Sequence, residues 1–210
     1  MKINIASNEV VHFIGIGGIG MSGIAELLFN QNFKITGSDL SESSNTDRLK
    51  KLDIPISIGH DRSNISSAEI VVYSDAIPKD NVELIEANDR NIQCYSRGQI
   101  ISQLAKLKSS TVGISGTHGK TTTTCILAHL LNSSNIPTTS FIGGISENYN
   151  SNFLYNENQL FLVEADEYDK SFLNLSPDYA CITSIDPDHL DIYNDFKGVE
   201  SGFISFINNI

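Results

Sequence analysis

The segment Gly116-Thr117-His118-Gly119-Lys120-Thr121 ends as a Walker-type phosphate loop ends. In such a loop the backbone N–H groups cradle phosphates, the lysine reaches the β and γ oxygens, and the threonine hydroxyl ligates Mg2+. The first glycine of the common form would fall at position 114, which is Ile114, and Gly113 comes one residue too early. The expectation is a shortened loop, with a chance GKT on a surface turn as the bland alternative.

Upstream, Gly15-Ile16-Gly17-Gly18-Ile19-Gly20 fits G-x-G-x-x-G through Gly15, Gly17 and Gly20. Glycines there permit a tight turn and close backbone approach, and the following helix offers its free N–H groups to a phosphate. Asp39 ends the next strand, where dinucleotide enzymes place the acid that binds ribose. The pattern suits NAD or another diphosphate nucleotide equally. Glycines that serve only helix packing are the competing explanation.

Two acidic segments follow the phosphate loop. Leu160–Val163 runs into Glu164-Ala165-Asp166-Glu167-Tyr168-Asp169, and the next apolar strand ends in Asp186-Pro187-Asp188-His189-Leu190-Asp191. A buried strand that delivers carboxylates at its C-terminal end can supply a Mg2+ ligand, because ligands bind at that edge of an α/β sheet. A solvated acidic loop is the alternative. His189, set among carboxylates, is read as a metal ligand rather than a helix cap or core histidine. His12 and His60 lack such a setting and read as surface or packing residues. His129 reads as structural, and Phe153, Tyr155 and Phe161 as core or loop anchors.

The elements that must position these residues alternate. Strands are expected at Val10–Ile14, Phe33–Thr36, Ile54–Ile58, Ile70–Tyr73 and Ile92–Tyr95, with helices after the first glycine cluster, near Thr46–Leu52 and near Asn81–Asn88. The pattern restarts after Lys106. Strands are expected at Thr111–Ser115, Thr138–Ile142, Leu160–Glu164 and Tyr179–Ile185, with a helix over Lys120–Leu131. Alternation of this kind predicts an α/β protein with parallel sheets covered on both faces. A Rossmann-like first domain would span 1–107 and a P-loop α/β domain 108–210, joined by the polar segment Gln103–Ser110.

Composition narrows the function. The net charge is −11, from 25 acidic and 14 basic residues, which argues against general nucleic-acid or anionic-membrane binding. An anionic ligand then needs local positive potential from N–H groups, a lysine or a divalent metal. Cys94, Cys125 and Cys181 are odd in number and show no CxxC spacing, so they read as core fillers in a reducing compartment. No signal peptide or membrane-length apolar run is evident, and the expected location is cytoplasmic.

Four segments together resemble the muramate–alanine ligases of the Mur ligase family: HFIGIGGIGMSGIA at 12–25, GTHGKTTTT at 116–124, EADEYD at 164–169 and DHLDIY at 188–193. The resemblance runs along essentially all 210 residues, in the family's order. It implies an ATP-dependent ligase that joins L-alanine to UDP-N-acetylmuramate through an acyl phosphate. It further implies that residues 116–122, with Thr122 included, hold ATP and that Lys120 stabilises the γ-phosphoryl group in flight. Thr121 and Glu164 would bind one Mg2+, and His189 a second. Gly17, Gly18 and Gly20 would meet the UDP diphosphate, Ser38 and Asp39 the nucleoside, and Ser74 and Arg97 the substrate edge. The family has a third, C-terminal domain beyond the region matched by Ile210, so this chain by itself is expected not to complete the reaction. A murein-peptide recycling ligase, an NAD-dependent oxidoreductase and a nucleotide-binding module without turnover are the alternatives. Oligomeric state is not legible.

Overall fold

The computed structural model describes residues 9–157, 160–168, 170–188 and 190–210, and only the backbone of Leu190 and Asp191. Contacts divide the chain into two compact units, Met1–Ile100 and Ile101–Ile210.

Among the described residues the first unit forms a five-stranded, wholly parallel sheet. Its strands are β1 (Val10–Ile14), β2 (Lys34–Asp39), β3 (Ile56–Ile58), β4 (Ile70–Tyr73) and β5 (Gln93–Ser96), in the order β3-β2-β1-β4-β5. The central strand β1 is almost continuously apolar because helices cover both of its faces. Helix α1 (Ile19–Asn30) buries Met21, Ile24, Ala25 and Leu28, the i, i+3, i+4, i+7 stripe of a core-facing helix. Helix α2 (Ser44–Lys50) opens with a reciprocal capping box between Ser43 and Thr46, and α3 (Val82–Asp89) with an Asn81 cap. Strand order reverses between β1 and β4, the switch point at which open α/β sheets bind ligands, and Gly15 and Ser74 directly follow those two strand ends.

Beneath that edge lies a buried polar cluster. The Glu83 carboxylate, fully buried, accepts hydrogen bonds from Ser38 Oγ (2.5 Å), Asn64 Nδ2 (2.5 Å) and the Asp61 N–H (3.3 Å). His60 Nδ1 stands 3.1 Å and His12 Nε2 3.8 Å from the same carboxylate. The two histidines expected at the surface or in packing roles therefore face one buried acid. Burial works to raise the Glu83 carboxyl, but His12 and the donors Ser38 and Asn64 outweigh it and hold it at about 2.

The second unit carries β6 (Ser110–Ser115), β7 (Thr139–Ser146), β8 (Ser151–Leu154), β9 (Leu160–Glu164) and β10 (Tyr179–Ile182), in the order β10-β6-β9-β7-β8. All pairs are parallel except β7–β8, an antiparallel hairpin at the edge. Strand β8 went unpredicted because its short Ser-Asn-Phe-Leu run has little apolar content. The hairpin forms because Asn150 adopts a left-handed conformation and Phe153 packs on Phe141 at 4.8 Å. Helix α5 (Lys120–Ser133) covers one face through Ala128, over Ile114, Ile142 and Leu162. Beyond the short helix α6 (Leu190–Tyr193), α7 (Phe196–Ile207) contributes Phe203 and Phe206, which pack on Phe172 at 5.5 and 5.2 Å.

The first half of the polar stretch expected to be a connector, Gln103–Lys106, is helical. Helix α4 (Arg97–Lys106) is capped reciprocally by Ser96 and Gln99, and it buries Ile100 and Leu104 one turn apart. No helix among the described residues is long and apolar enough to cross a membrane.

Because Glu83 ionises below the ordinary 4.5 in the folded state, its charge contributes stability that is present above about pH 4.5 and lost as pH falls toward 2. The loss is at most about 3 kcal/mol. The protection of β1 and β2 amides, measured against their intrinsic exchange rates, should therefore fall between pH 5 and pH 3. In Glu83→Gln those amides should be less protected at pH 5 and show a smaller further loss at pH 3.

Candidate active site

The phosphate loop joins β6 to α5, and its backbone is shaped by what lies on top of it. Gly116 has φ +134°, and a Cβ there would stand 2.1 Å from Thr183 Oγ1, so the exit of β10 rests directly on the loop. Gly119 is left-handed at the N-cap, and α5 begins with no side-chain cap. Its opening N–H groups are the donors that a phosphate would seek.

The strand expected over Tyr179–Ile185 ends at Ile182 because its last residues turn to hold this loop. Thr183 Oγ1 donates to the Ser115 carbonyl (3.1 Å) and to that of His118. Ser184 Oγ accepts the His118 N–H (3.0 Å) and pairs with Thr117 Oγ1 (2.9 Å), which also accepts the Asp186 N–H (3.1 Å). Thr117 is thus spent on structure. With His118, Gly119, Lys120, Thr121, Thr122, Glu164 and Asp166 it lines an open cleft of about 430 Å³.

Parallel pairing of β6 and β9 sets Ile114 opposite Glu164 and brings that carboxylate to the cleft. Its Oε1 accepts from Thr121 Oγ1 (2.9 Å) and its Oε2 from the Gly143 N–H (2.6 Å). Burial raises the Glu164 carboxyl, and Asp166 adds to the rise; the Gly143 and Thr121 hydrogen bonds and nearby Lys120 oppose it. A side chain at 143 would not fit, since a Cβ there would lie 2.5 Å from both carboxylate oxygens. The neighbouring acid takes the other partner: Glu167 Oε1 accepts from Lys120 Nζ at 2.8 Å, while Asp166 Oδ1 stands 3.7 Å away.

The fit to Mg2+ can be tested on the Thr121–Glu164 pair. Adjacent oxygens in an octahedral Mg2+ shell stand about 2.9 Å apart, and these two hard donors are separated by 2.9 Å. Among the described residues no three His, Cys, Asp or Glu side chains converge as a metal site. A cation here would therefore complete its shell with phosphate and water, the habit of Mg2+. His189 lies outside the described residues.

In the first unit, the Ser38 carbonyl accepts the Gly15 and Ile16 N–H groups (2.8 and 3.0 Å), and Asp39 Oδ2 accepts the Gly17 N–H (2.8 Å). Gly18 N–H closes the turn on the Gly15 carbonyl at 3.2 Å. A Cβ on Gly20 would meet Arg97 at 3.0 Å, and one on Gly15 would meet Ser74 at 3.5 Å. Gly17, Gly18, Gly20, Asp39, Ser74 and Arg97 are thus gathered at one sheet edge. The Ser38 hydroxyl is not among them, because it points inward to Glu83.

The sequence marked Asp166 and Glu167 only as members of an acidic segment and assigned no role to Gly143, Thr183 or Ser184. A glycine pair inside the apolar run Phe141-Ile142-Gly143-Gly144 was the readable signal for Gly143, because glycine within a strand marks close approach.

Residues 10–109 match the Mur ligase family, catalytic domain, and residues 114–210 the Mur ligase middle domain. A UDP-N-acetylmuramate–L-alanine ligase of Bradyrhizobium diazoefficiens is 46% identical over 95% of this chain and 43% of its own length. The solved UDP-N-acetylmuramate–alanine ligase of Thermotoga maritima superposes with a TM-score of 0.86 at 32% identity, over 95% of this chain and 47% of that one. A UDP-N-acetylmuramate:L-alanyl-γ-D-glutamyl-meso-diaminopimelate ligase from Neisseria meningitides gives a TM-score of 0.87 at 25% identity, over 96% and 68% respectively. The chain spans less than half the length of the curated alanine ligases it matches. With both of its units matched in order, the chain belongs to the Mur ligase family.

Proposed function

We propose that this chain provides the UDP-sugar-binding and ATP-binding parts of a UDP-N-acetylmuramate–L-alanine ligase, with residues 1–107 serving the sugar nucleotide and 108–210 the ATP. The observation that carries this reading is the pairing of Thr121 with Glu164 at 2.9 Å, in a cleft that also presents Lys120 and the uncapped start of α5. That set matches the needs of a triphosphate with its cation: N–H donors for phosphate, an ammonium for the γ-phosphoryl charge and two oxygens for Mg2+.

In the proposed reaction the lactyl carboxylate of UDP-N-acetylmuramate attacks the γ-phosphorus, ADP departs and an acyl phosphate forms. The alanine amine then displaces phosphate to give the amide. Lys120 offsets charge on the phosphoryl oxygens as the bond to ADP breaks. Thr121 and Glu164 would hold Mg2+, which supplies Lewis-acid neutralisation of the phosphate charge; His189 is proposed as a ligand of a second ion. Gly17, Gly18 and Gly20 would approach the UDP diphosphate, with Asp39 nearer the nucleoside and Ser74 and Arg97 at the rim.

Among the solved structures the alanine ligase is 32% identical and the tripeptide-adding neighbour 25%, and curated alanine ligases reach 43–46%, which supports alanine over the recycling substrate. The fold does not separate the two, since the TM-scores are 0.86 and 0.87.

Calorimetric titration with UDP-N-acetylmuramate should show saturable binding, and parallel titration with NADH should show none. Binding of NADH alone would overturn the ligase reading in favour of a dehydrogenase. A second outcome concerns the cation. Gly143→Ala must displace the Glu164 carboxylate, and loss of such an orienting contact weakens metal affinity on the order of 10- to 100-fold. ATP binding should then need correspondingly more Mg2+, while UDP-N-acetylmuramate affinity stays unchanged. An unchanged Mg2+ requirement would remove Glu164 from the metal site.

A further inference from the structure

We propose that Glu167 is the positioning residue of the phosphate-loop lysine: its carboxylate stations the Lys120 ammonium over the loop before any phosphate arrives. The inference rests on the reading of this cleft as an ATP site.

An ammonium has three donors. Two of those on Lys120 are directed, one to the Gly116 carbonyl at 2.9 Å and one to Glu167 Oε1 at 2.8 Å. The third remains for a phosphate oxygen. Of the acids in the segment 164–167, only Glu167 suits this task. Both oxygens of Glu164 are engaged by Thr121 and Gly143. Asp166 stands farther from the ammonium, at 3.7 Å, and its side chain is 39% exposed, so water and salt screen it. The Glu167 side chain is 1% exposed and that of Lys120 13%, which makes theirs the tightly held pair.

The backbone of Glu167 is itself fixed. Its carbonyl accepts the Tyr193 hydroxyl at 2.7 Å and the Lys170 N–H at 3.0 Å. Tyr193 is buried in turn, against Gly202 of α7 and beneath the Lys170 ammonium, 5.0 Å from the ring centroid. The constraint thus passes from the α7 corner through Tyr193 and Glu167 to the lysine.

Two opposite effects follow from such a carboxylate. It neutralises part of the charge that attracts phosphate, and it removes the disorder of a flexible four-carbon stem. Burial decides between them. Without Glu167 the largely buried ammonium would keep only the Gly116 carbonyl and the screened Asp166 carboxylate, and in an open cleft it would turn toward solvent. Phosphate would then have to reorder it.

The test is a double-mutant cycle on the chain, read by calorimetric titration with ATP in saturating Mg2+ and accompanied by thermal melting. Glu167→Gln should raise the ATP Kd on the order of tenfold, the scale of one charge-assisted hydrogen bond. Lys120→Met should weaken binding at least as much. The double variant should bind within about twofold of Lys120→Met alone, because Glu167 acts through the lysine. Additive losses, or Glu167→Gln binding ATP as tightly as or more tightly than the unaltered chain while Lys120→Met weakens it, would overturn the inference and leave the ATP reading standing. No ATP binding by the unaltered chain, or none of it dependent on Lys120, would overturn the ATP reading and this inference with it. Should Glu167→Gln fail to fold, Glu167→Asp keeps the charge and withdraws it by one methylene. An ATP affinity between those of the unaltered chain and Lys120→Met is then expected, and an unaltered affinity overturns the inference.

Discussion

The second unit depends on one register, that of β9 against β6, with Glu164 opposite Ile114. Side chains alternate along a strand, so a slip by one residue would turn Glu164 into the core and Val163 toward the cleft. The register is held by the apolar pairs before it. Phe161, Leu162 and Val163 are each at most 1% exposed although they alternate between the two faces, so a slip would force each into packing shaped for its neighbour. Everything at the cleft inherits this alignment. The Ala165 N–H continues the ladder onto the Ile114 carbonyl, and Ser115 Oγ donates to the Ala165 carbonyl. The phosphate loop therefore leaves β6 at the level where the acidic segment leaves β9.

To bind polyphosphates as proposed, a chain of net charge −11 must make positive potential locally, and both glycine loops offer N–H donors while keeping a carboxylate of their own nearby. In the first unit Asp39 accepts the Gly17 N–H; in the second Glu167 accepts from Lys120. Each acid satisfies a donor that would otherwise wait for a ligand, so the loops are ordered without one. Such order reduces what binding must spend on immobilising the loop.

Much of this was legible in the sequence, for a definite reason. A buried parallel strand, a glycine turn and an amphipathic helix each leave a local signature, and β1, β4 and β9 begin and end where their apolar runs do. What was hidden depended on neighbours distant in sequence. Helix α4 was masked by polar composition, because its core face needs little more than Ile100, Leu104 and Ala105. Strand β8 is held by pairing with β7 rather than by its own pattern. Ser38 followed the expected strand but its hydroxyl turned inward, since the acid that claims it lies 45 positions away. Glu167 was visible as one acid among several; only the folded arrangement separates the carboxylate on the lysine from the one on the threonine.

That separation also bears on where specificity resides. Two ligases that act on different substrates superpose on this chain equally well, at TM-scores of 0.86 and 0.87, so the backbone is not what distinguishes them. The parts fixed by the fold are those any phosphate-handling ligase needs: a loop, a lysine and a strand-end carboxylate. Side chains at the rim of the first unit are under no such constraint. Arg97 begins a helix and Ser74 follows a strand end, places where a residue can change without disturbing the core. Both of those ligases, however, are named for the same sugar nucleotide and differ in the amine joined to it. Such rim positions would therefore face a shared substrate, and discrimination is expected where the amine binds, while the register of β6 and β9 stays the same.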